Sequence, residues 1–118
     1  MRRRPDGVLE REILAVLWAV DDALLPAQIR DRIPSELAYT SVATVLGRLR
    51  KKGLVKRARA GRAFAYRPAV SEAELAVRRM SEVLDGATDR GTVLAGFVGS
   101  LNDKEAKALR SLLGKDSG

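Results

Sequence analysis

The 118 residues contain no cysteine and no histidine. The first absence excludes disulfides, thiol nucleophiles and thiolate metal sites; the second removes the side chain most often used as general base and metal ligand. Aromatic residues are scarce, one Trp, two Tyr and two Phe, too few for a platform on which successive bases of a single strand would stack. Apolar runs are short, and none approaches the roughly 20 residues of a membrane-spanning helix. The nearest thing to a leader is Arg2, Arg3 and Arg4 ahead of an apolar run at 13–20. Glu10 and Glu12 stand just before it and Asp21 and Asp22 just after it, which is not the pattern of a secretory signal. A cytoplasmic protein without direct membrane insertion is expected. A chain of this length holds one compact domain, or a small domain with an appendage that needs a partner.

What the sequence has in excess is positive charge, 22 Lys and Arg against 15 Asp and Glu for a net +7. The excess is local. Residues 1–68 carry 15 basic and 7 acidic side chains, whereas residues 69–118 carry 7 and 8. No Asp or Glu occurs between Glu36 and Glu72, yet Arg48, Arg50, Lys51, Lys52, Lys56, Arg57, Arg59, Arg62 and Arg67 all do. A one-sign cluster of this size attracts a polyanion, because surfaces built only for solubility mix the two signs.

The hydrophobic pattern assigns elements to that cluster. Leu9, Ile13, Val16, Leu17 and Val20 recur at helical spacing and predict an amphipathic helix from about 7 to 20, with Trp18 near its buried side and Asp6 as N-cap. Pro26 suits the first turn of a short helix over 27–33, with Ile29 and Ile33 inward and Pro34 ending it. In "LAYTSVATVLGRLRKKGLV", Val42, Val45, Leu46 and Leu49 form the core stripe of a third helix, and Gly53 sits where a helix is stopped. The period then changes: "LVKRARAGRAFAYRP" alternates on both sides of a glycine and predicts a β-hairpin. Three short helices followed by a hairpin is the order of a winged helix-turn-helix, with the third helix as recognition helix and the hairpin as wing.

Beyond Pro68 the pattern is helical again. Ser71 with Glu74 forms a capping box opening a helix with apolar Leu75, Met80, Val83 and Leu84, closed at Asp85-Gly86. A second helix carries Val93, Leu94, Phe97, Val98 and Leu101. A third opens at Asn102 with Glu105 and offers Ala106, Leu109, Leu112 and Leu113. Fifty residues in three short helices have little core of their own, so these stripes are expected to bury against a second copy. The expected fold is mainly α with a small β-hairpin wing: a winged-helix DNA-binding domain at 1–70 and a helical dimerisation domain at 71–118. Leu75, Met80, Leu84, Val93, Leu94, Phe97, Val98, Leu101, Leu109, Leu112 and Leu113 are the expected pairing residues.

With its apolar comb facing inward, the third helix turns Thr40, Ser41, Thr44 and Arg48 outward, with Lys51 and Lys52 at its exit. Small hydroxyls let a helix lie close to base edges and phosphates in a major groove about 12 Å wide, and an Arg can grip guanine through two hydrogen bonds. The basic exit and the wing's Arg57, Arg59 and Arg62 suit phosphates. An enzyme has little to work with: Glu72 and Glu74 are a carboxylate pair, but the capping box accounts for Glu74, and no catalytic residue, metal ligand or cofactor is expected. The stronger rival is a non-specific nucleic-acid-binding protein without a defined operator.

These blocks resemble the BlaI/MecI-type penicillinase repressor family along essentially the whole chain. The carriers are Glu10 with "EILAVLW", then "AYTSVATVLGRLRKKGLV", "GRAFAYRP" and "FVGSLNDKEAKALRSLL". The resemblance implies a homodimeric bacterial transcriptional repressor that binds a palindromic double-stranded operator. The positions matching Thr40, Ser41, Ala43, Thr44 and Arg48 then lie on the DNA-facing side; Ala43 is small where some relatives carry a longer basic residue. Repressors of β-lactam resistance in the family are relieved when a membrane-bound sensor metalloprotease cuts the C-terminal region before a Phe. Phe97 occupies that place, preceded by Gly96 where the best-known relatives have Asn. A copper-responsive branch uses C-terminal cysteines, of which this chain has none.

Overall fold

The computed structural model describes residues 6–34 and 39–115, with side chains for all of these except Asp6 and Lys115. The expected Asp6 cap therefore lies outside the described side chains. Six helices and one hairpin follow each other as α1 (Asp6–Trp18), α2 (Pro26–Asp31), α3 (Tyr39–Lys51), β1 (Val55–Ala60), β2 (Ala63–Pro68), α4 (Glu72–Asp85), α5 (Arg90–Gly99) and α6 (Asp103–Lys115). They form two compact units divided between Leu75 and Ala76, slightly beyond the boundary expected after residue 70, because the start of α4 still packs with the first unit.

The core of that first unit is built from the predicted stripes. Ile13, Ile29, Val42, Leu46 and Leu49 are completely buried, and each such side chain contributes roughly 1.5–3 kcal/mol over leaving it in water. Leu14 is also completely buried whereas Val16 is only partly so, which rotates the inward face of α1 slightly from the expected one. α1 ends at Trp18, and the indole N–H donates to the Val70 carbonyl at 2.9 Å. That bond ties the segment after the hairpin back to the first helix. Leu75 joins the same core at 5 % exposure, so it is not available to a partner chain, contrary to expectation.

Helix α3 ends in a full glycine stop. Gly53 has φ +76, its N–H donates to Arg50 O at 3.0 Å, and the Leu54 N–H donates to Leu49 O at 2.9 Å. This is the paired bonding of a left-handed helix terminus, in which a side chain at the glycine would be strained. Buried Leu54 and Val55 then start the hairpin. Its register pairs Val55 with Pro68, Arg57 with Tyr66, Arg59 with Phe64 and Ala60 with Ala63. The two-residue turn is Gly61-Arg62, with φ +68 at the glycine only, as a tight hairpin with glycine first requires. A third strand of one residue went unforeseen: Leu24 exchanges both backbone bonds with Tyr66, at 3.0 and 2.8 Å. It anchors the base of the wing to the link between α1 and α2.

The last three helices, α4 to α6, are well capped at their starts. Ser71 and Glu74 exchange the expected reciprocal bonds at 3.0 and 3.3 Å, and Asn102 and Glu105 do likewise at 2.8 and 3.0 Å. Asp89 caps α5, accepting from the Thr92 hydroxyl at 2.6 Å and the Thr92 N–H at 3.0 Å. Those bonds favour its ionised form and hold its carboxyl below the usual range. The apolar positions after Leu75 are not covered. Val77, Met80, Val83, Val93, Leu94, Phe97, Val98, Leu112 and Leu113 are exposed, and Leu84, Leu101 and Leu109 are half-buried. Among the described residues after Leu75, none is buried.

Candidate nucleic-acid interface

The exposed side of α3 follows from its buried side. Val42, Val45, Leu46 and Leu49 fix the helix against α1 and α2, and the 3.6-residue period then leaves Thr40, Ser41, Thr44, Gly47, Arg48 and Lys51 in solvent. Ala43 is half-buried at one edge of this face. Thirteen residues at 1.5 Å each give a rod of about 20 Å, and a helix of about 10–12 Å diameter fits the major groove. Hydroxyls along its centre can donate or accept, Arg48 offers a planar fork, and the short side chains leave the backbone close to whatever lies against it.

The wing prolongs the positive surface. Arg57, Arg59 and Arg62 are all exposed, the first two on strand β1 and the third at the turn. Register places Arg57 and Arg59 on the same face of the hairpin as Phe64 and Tyr66. The Arg57 guanidinium stacks on Phe64 with Cζ 3.8 Å from the ring centroid, and that of Arg59 stands 5.6 Å from the same centroid. A weak 3.5 Å bond from Arg57 Nη1 reaches the Tyr66 hydroxyl. Arg67 differs: its Nη1 donates to the Asp21 carbonyl at 2.7 Å, bracing the wing base.

Lys52, expected as a phosphate contact, is instead paired with a carboxylate inside the fold. Its ammonium donates to both carboxylate oxygens of Glu10, at 2.8 and 2.9 Å, and Glu10 is 8 % exposed. A buried carboxylate requires such a partner, so Lys52 joins α1 to the end of α3. Spacing alone could not reveal this, since the partners lie 42 positions apart. The stacking of arginines on Phe64 was hidden likewise, because it depends on the strand register. Tyr39, the first residue of α3, was also missed; at 46 % exposure it is the single large apolar side chain exposed in the first unit among the described residues. Its place directly before the Thr40–Ser41 hydroxyls was the available signal. Among the described residues no group of acidic side chains is arranged to hold a metal ion.

Comparison with known proteins shows the family. The penicillinase repressor family model matches residues 7–115, which includes both units and the whole face just described. The chain belongs to the penicillinase repressor family. It is a transcriptional repressor of the BlaI type and not an enzyme. The repressor is similar to the transcriptional regulator BlaI of Mycobacterium tuberculosis, 38% identical over 112 residues that span 91% of this chain and 81% of the relative. In fold it resembles the crystal structure of a MepR mutant from a multidrug resistant S. aureus clinical isolate. The two are 18% identical, with a TM-score of 0.50, covering 91% of the repressor and 73% of MepR. The mainly α architecture with a hairpin wing is shared with that protein.

Proposed function

We propose that the repressor binds a palindromic double-stranded operator as a homodimer, each winged helix laying α3 in the major groove of one half-site. The observation that carries this is one helix, α3, whose inner side is fully buried while Thr40, Ser41, Thr44 and Arg48 line its outer side, in a stretch of 35 residues without a carboxylate between Glu36 and Glu72. Thr40, Ser41, Ala43, Thr44 and Arg48 meet the groove; Lys51 and the wing's Arg57, Arg59 and Arg62 hold phosphates. The exposed apolar surface of the second unit supports pairing with a second copy, because small domains rarely leave so many large apolar side chains in water. Two linked half-site contacts gain roughly 10² to 10⁴ in affinity over separate ones.

The proposal extends to regulation. The controlled genes are those of β-lactam resistance or related ones, and a membrane-bound sensor metalloprotease relieves repression by cutting at Gly96–Phe97. Severing the paired helices there would abolish the linkage on which tight binding rests. No described helix is long and apolar enough to cross a membrane. The test is footprinting on the DNA upstream of its own gene, followed by salt titration against a random duplex. A preference of roughly 10³ or more for the protected site is expected. Equal affinity for both duplexes would make the protein a non-specific nucleic-acid binder and overturn the proposal.

A further inference from the structure

We infer that Phe64 is a positioning residue whose ring gathers Arg57 and Arg59 into a two-guanidinium clamp for backbone phosphates. The inference rests on the DNA-binding function proposed above and adds to it the element that organises the wing.

The hairpin register creates the juxtaposition. Arg59 lies directly opposite Phe64 and Arg57 opposite Tyr66, so all four share one face with Val55 and Pro68. At the base of that face Val55 and Tyr66 are buried, while farther out Phe64 is only half-buried against the core edge. The exposed part of the ring is where the Arg57 guanidinium lies at 3.8 Å, with Arg59 at 5.6 Å.

Stacking on a ring is a different way of holding an arginine from pairing it with a carboxylate. A carboxylate occupies the in-plane N–H groups and cancels the charge; a ring takes the flat face and leaves most of the donors in plane and the charge intact. Two guanidiniums beside one ring also repel each other, which does nothing for the stability of the isolated fold. Among the described residues no ion pair neutralises either one. An anion with several oxygens resolves the repulsion, and a phosphate of a duplex backbone matches the forked donors. Because both side chains are already restricted by the ring, less conformational freedom is lost on binding.

The experiment compares wild type with Phe64→Leu, Phe64→Trp, the Arg57→Lys/Arg59→Lys double variant, and Phe64→Leu in an Arg57→Met/Arg59→Met background. Affinities for the operator and a random duplex are measured at one salt concentration, with thermal melts alongside. Phe64→Leu is expected to lose roughly two- to tenfold in affinity, the scale of ordering one rotamer-rich side chain on binding. The loss is equal on both duplexes because phosphates carry no sequence information. Phe64→Trp restores binding. The double Lys variant keeps the ring and both charges yet shows a comparable loss, since an ammonium has no planar face to stack; it decides the matter should Phe64→Leu fail to fold. In the double Met background Phe64→Leu has no further effect. Wild-type affinity in Phe64→Leu or in the double Lys variant overturns the inference, as does an equal Phe64→Leu loss without the arginines. Wild-type protein that binds neither duplex would instead overturn the proposed function itself.

Discussion

Lys52 Nζ lies 2.8 and 2.9 Å from the two carboxylate oxygens of Glu10, joining the buried side of α1 to the end of the candidate recognition helix. The two ends of this pair are unequal: the Lys52 side chain is 56% exposed and that of Glu10 only 10%. Lys52→Met should therefore destabilise the first unit by about 1–3 kcal/mol, chiefly through the unpaired buried carboxylate. Glu10→Gln, which removes the charge but keeps an oxygen acceptor, should cost less. Denaturant melts of both variants measure this; equal stability in Lys52→Met would return Lys52 to the phosphate-binding set.

Arg48 lies on the exposed side of α3. Arg48→Ala should lose roughly 1–3 kcal/mol of operator binding with relaxed preference at one base pair if the side chain reads a base. If it holds a phosphate, binding to every duplex falls alike and the salt slope drops by about 0.9. Unchanged binding in titrations on both duplexes removes α3 from the interface.

Val83 is 71% exposed, and Leu113 64%, which makes them cleaner tests of pairing than the half-buried Leu84, Leu101 or Leu109. Val83→Asp should move the protein from dimer to monomer on a sizing column and weaken operator binding, while the melt of the first unit stays in place. An unshifted dimer peak would exclude this surface.

Gly47 sits on the outer side of α3 with nothing within 4 Å of where a Cβ would stand. Glycine within a helix costs about 1 kcal/mol against alanine, and no packing reason within the fold offsets it. Gly47→Ala should raise the melting temperature by several degrees and at the same time lower operator affinity, because the added methyl stands on the surface assigned to the groove. Raised stability with unaltered affinity would mean that DNA does not approach the helix there.

Gly96 and Phe97 lie inside the continuous helix α5, so a protease must open that helix before cutting. Mass measurement of the repressor from its β-lactam-exposed host should show a fragment ending near Gly96. Gly96→Ala, with open space for its methyl, should slow cutting by making the helix costlier to open, by about 1 kcal/mol. An intact repressor with its target genes induced removes proteolysis from the proposal.

By itself the amino-acid order determined whatever depends on neighbours within a few positions. The stripe of Val42, Val45, Leu46 and Leu49, the stop at Gly53, the Ser71–Glu74 and Asn102–Glu105 caps and the hairpin turn at Gly61 are local matters of period, hydrogen bonding and backbone sterics. They sufficed to place Thr40, Ser41, Thr44 and Arg48 outward, since burying one side of a helix dictates the other. Tertiary structure alone decided the pairings across long separations: Glu10 with Lys52, Leu24 with Tyr66, Trp18 with Val70, and Leu75 with the core of the first unit rather than a partner. Apolar period marks Leu75 and Met80 alike as positions to be buried, but only packing in three dimensions buries the first at 5 % and leaves the second 54% exposed. The same holds for charge, because a run of arginines and lysines specifies a positive surface, whereas the distances to Glu10 and Phe64 decide which cations serve the fold and which face outward.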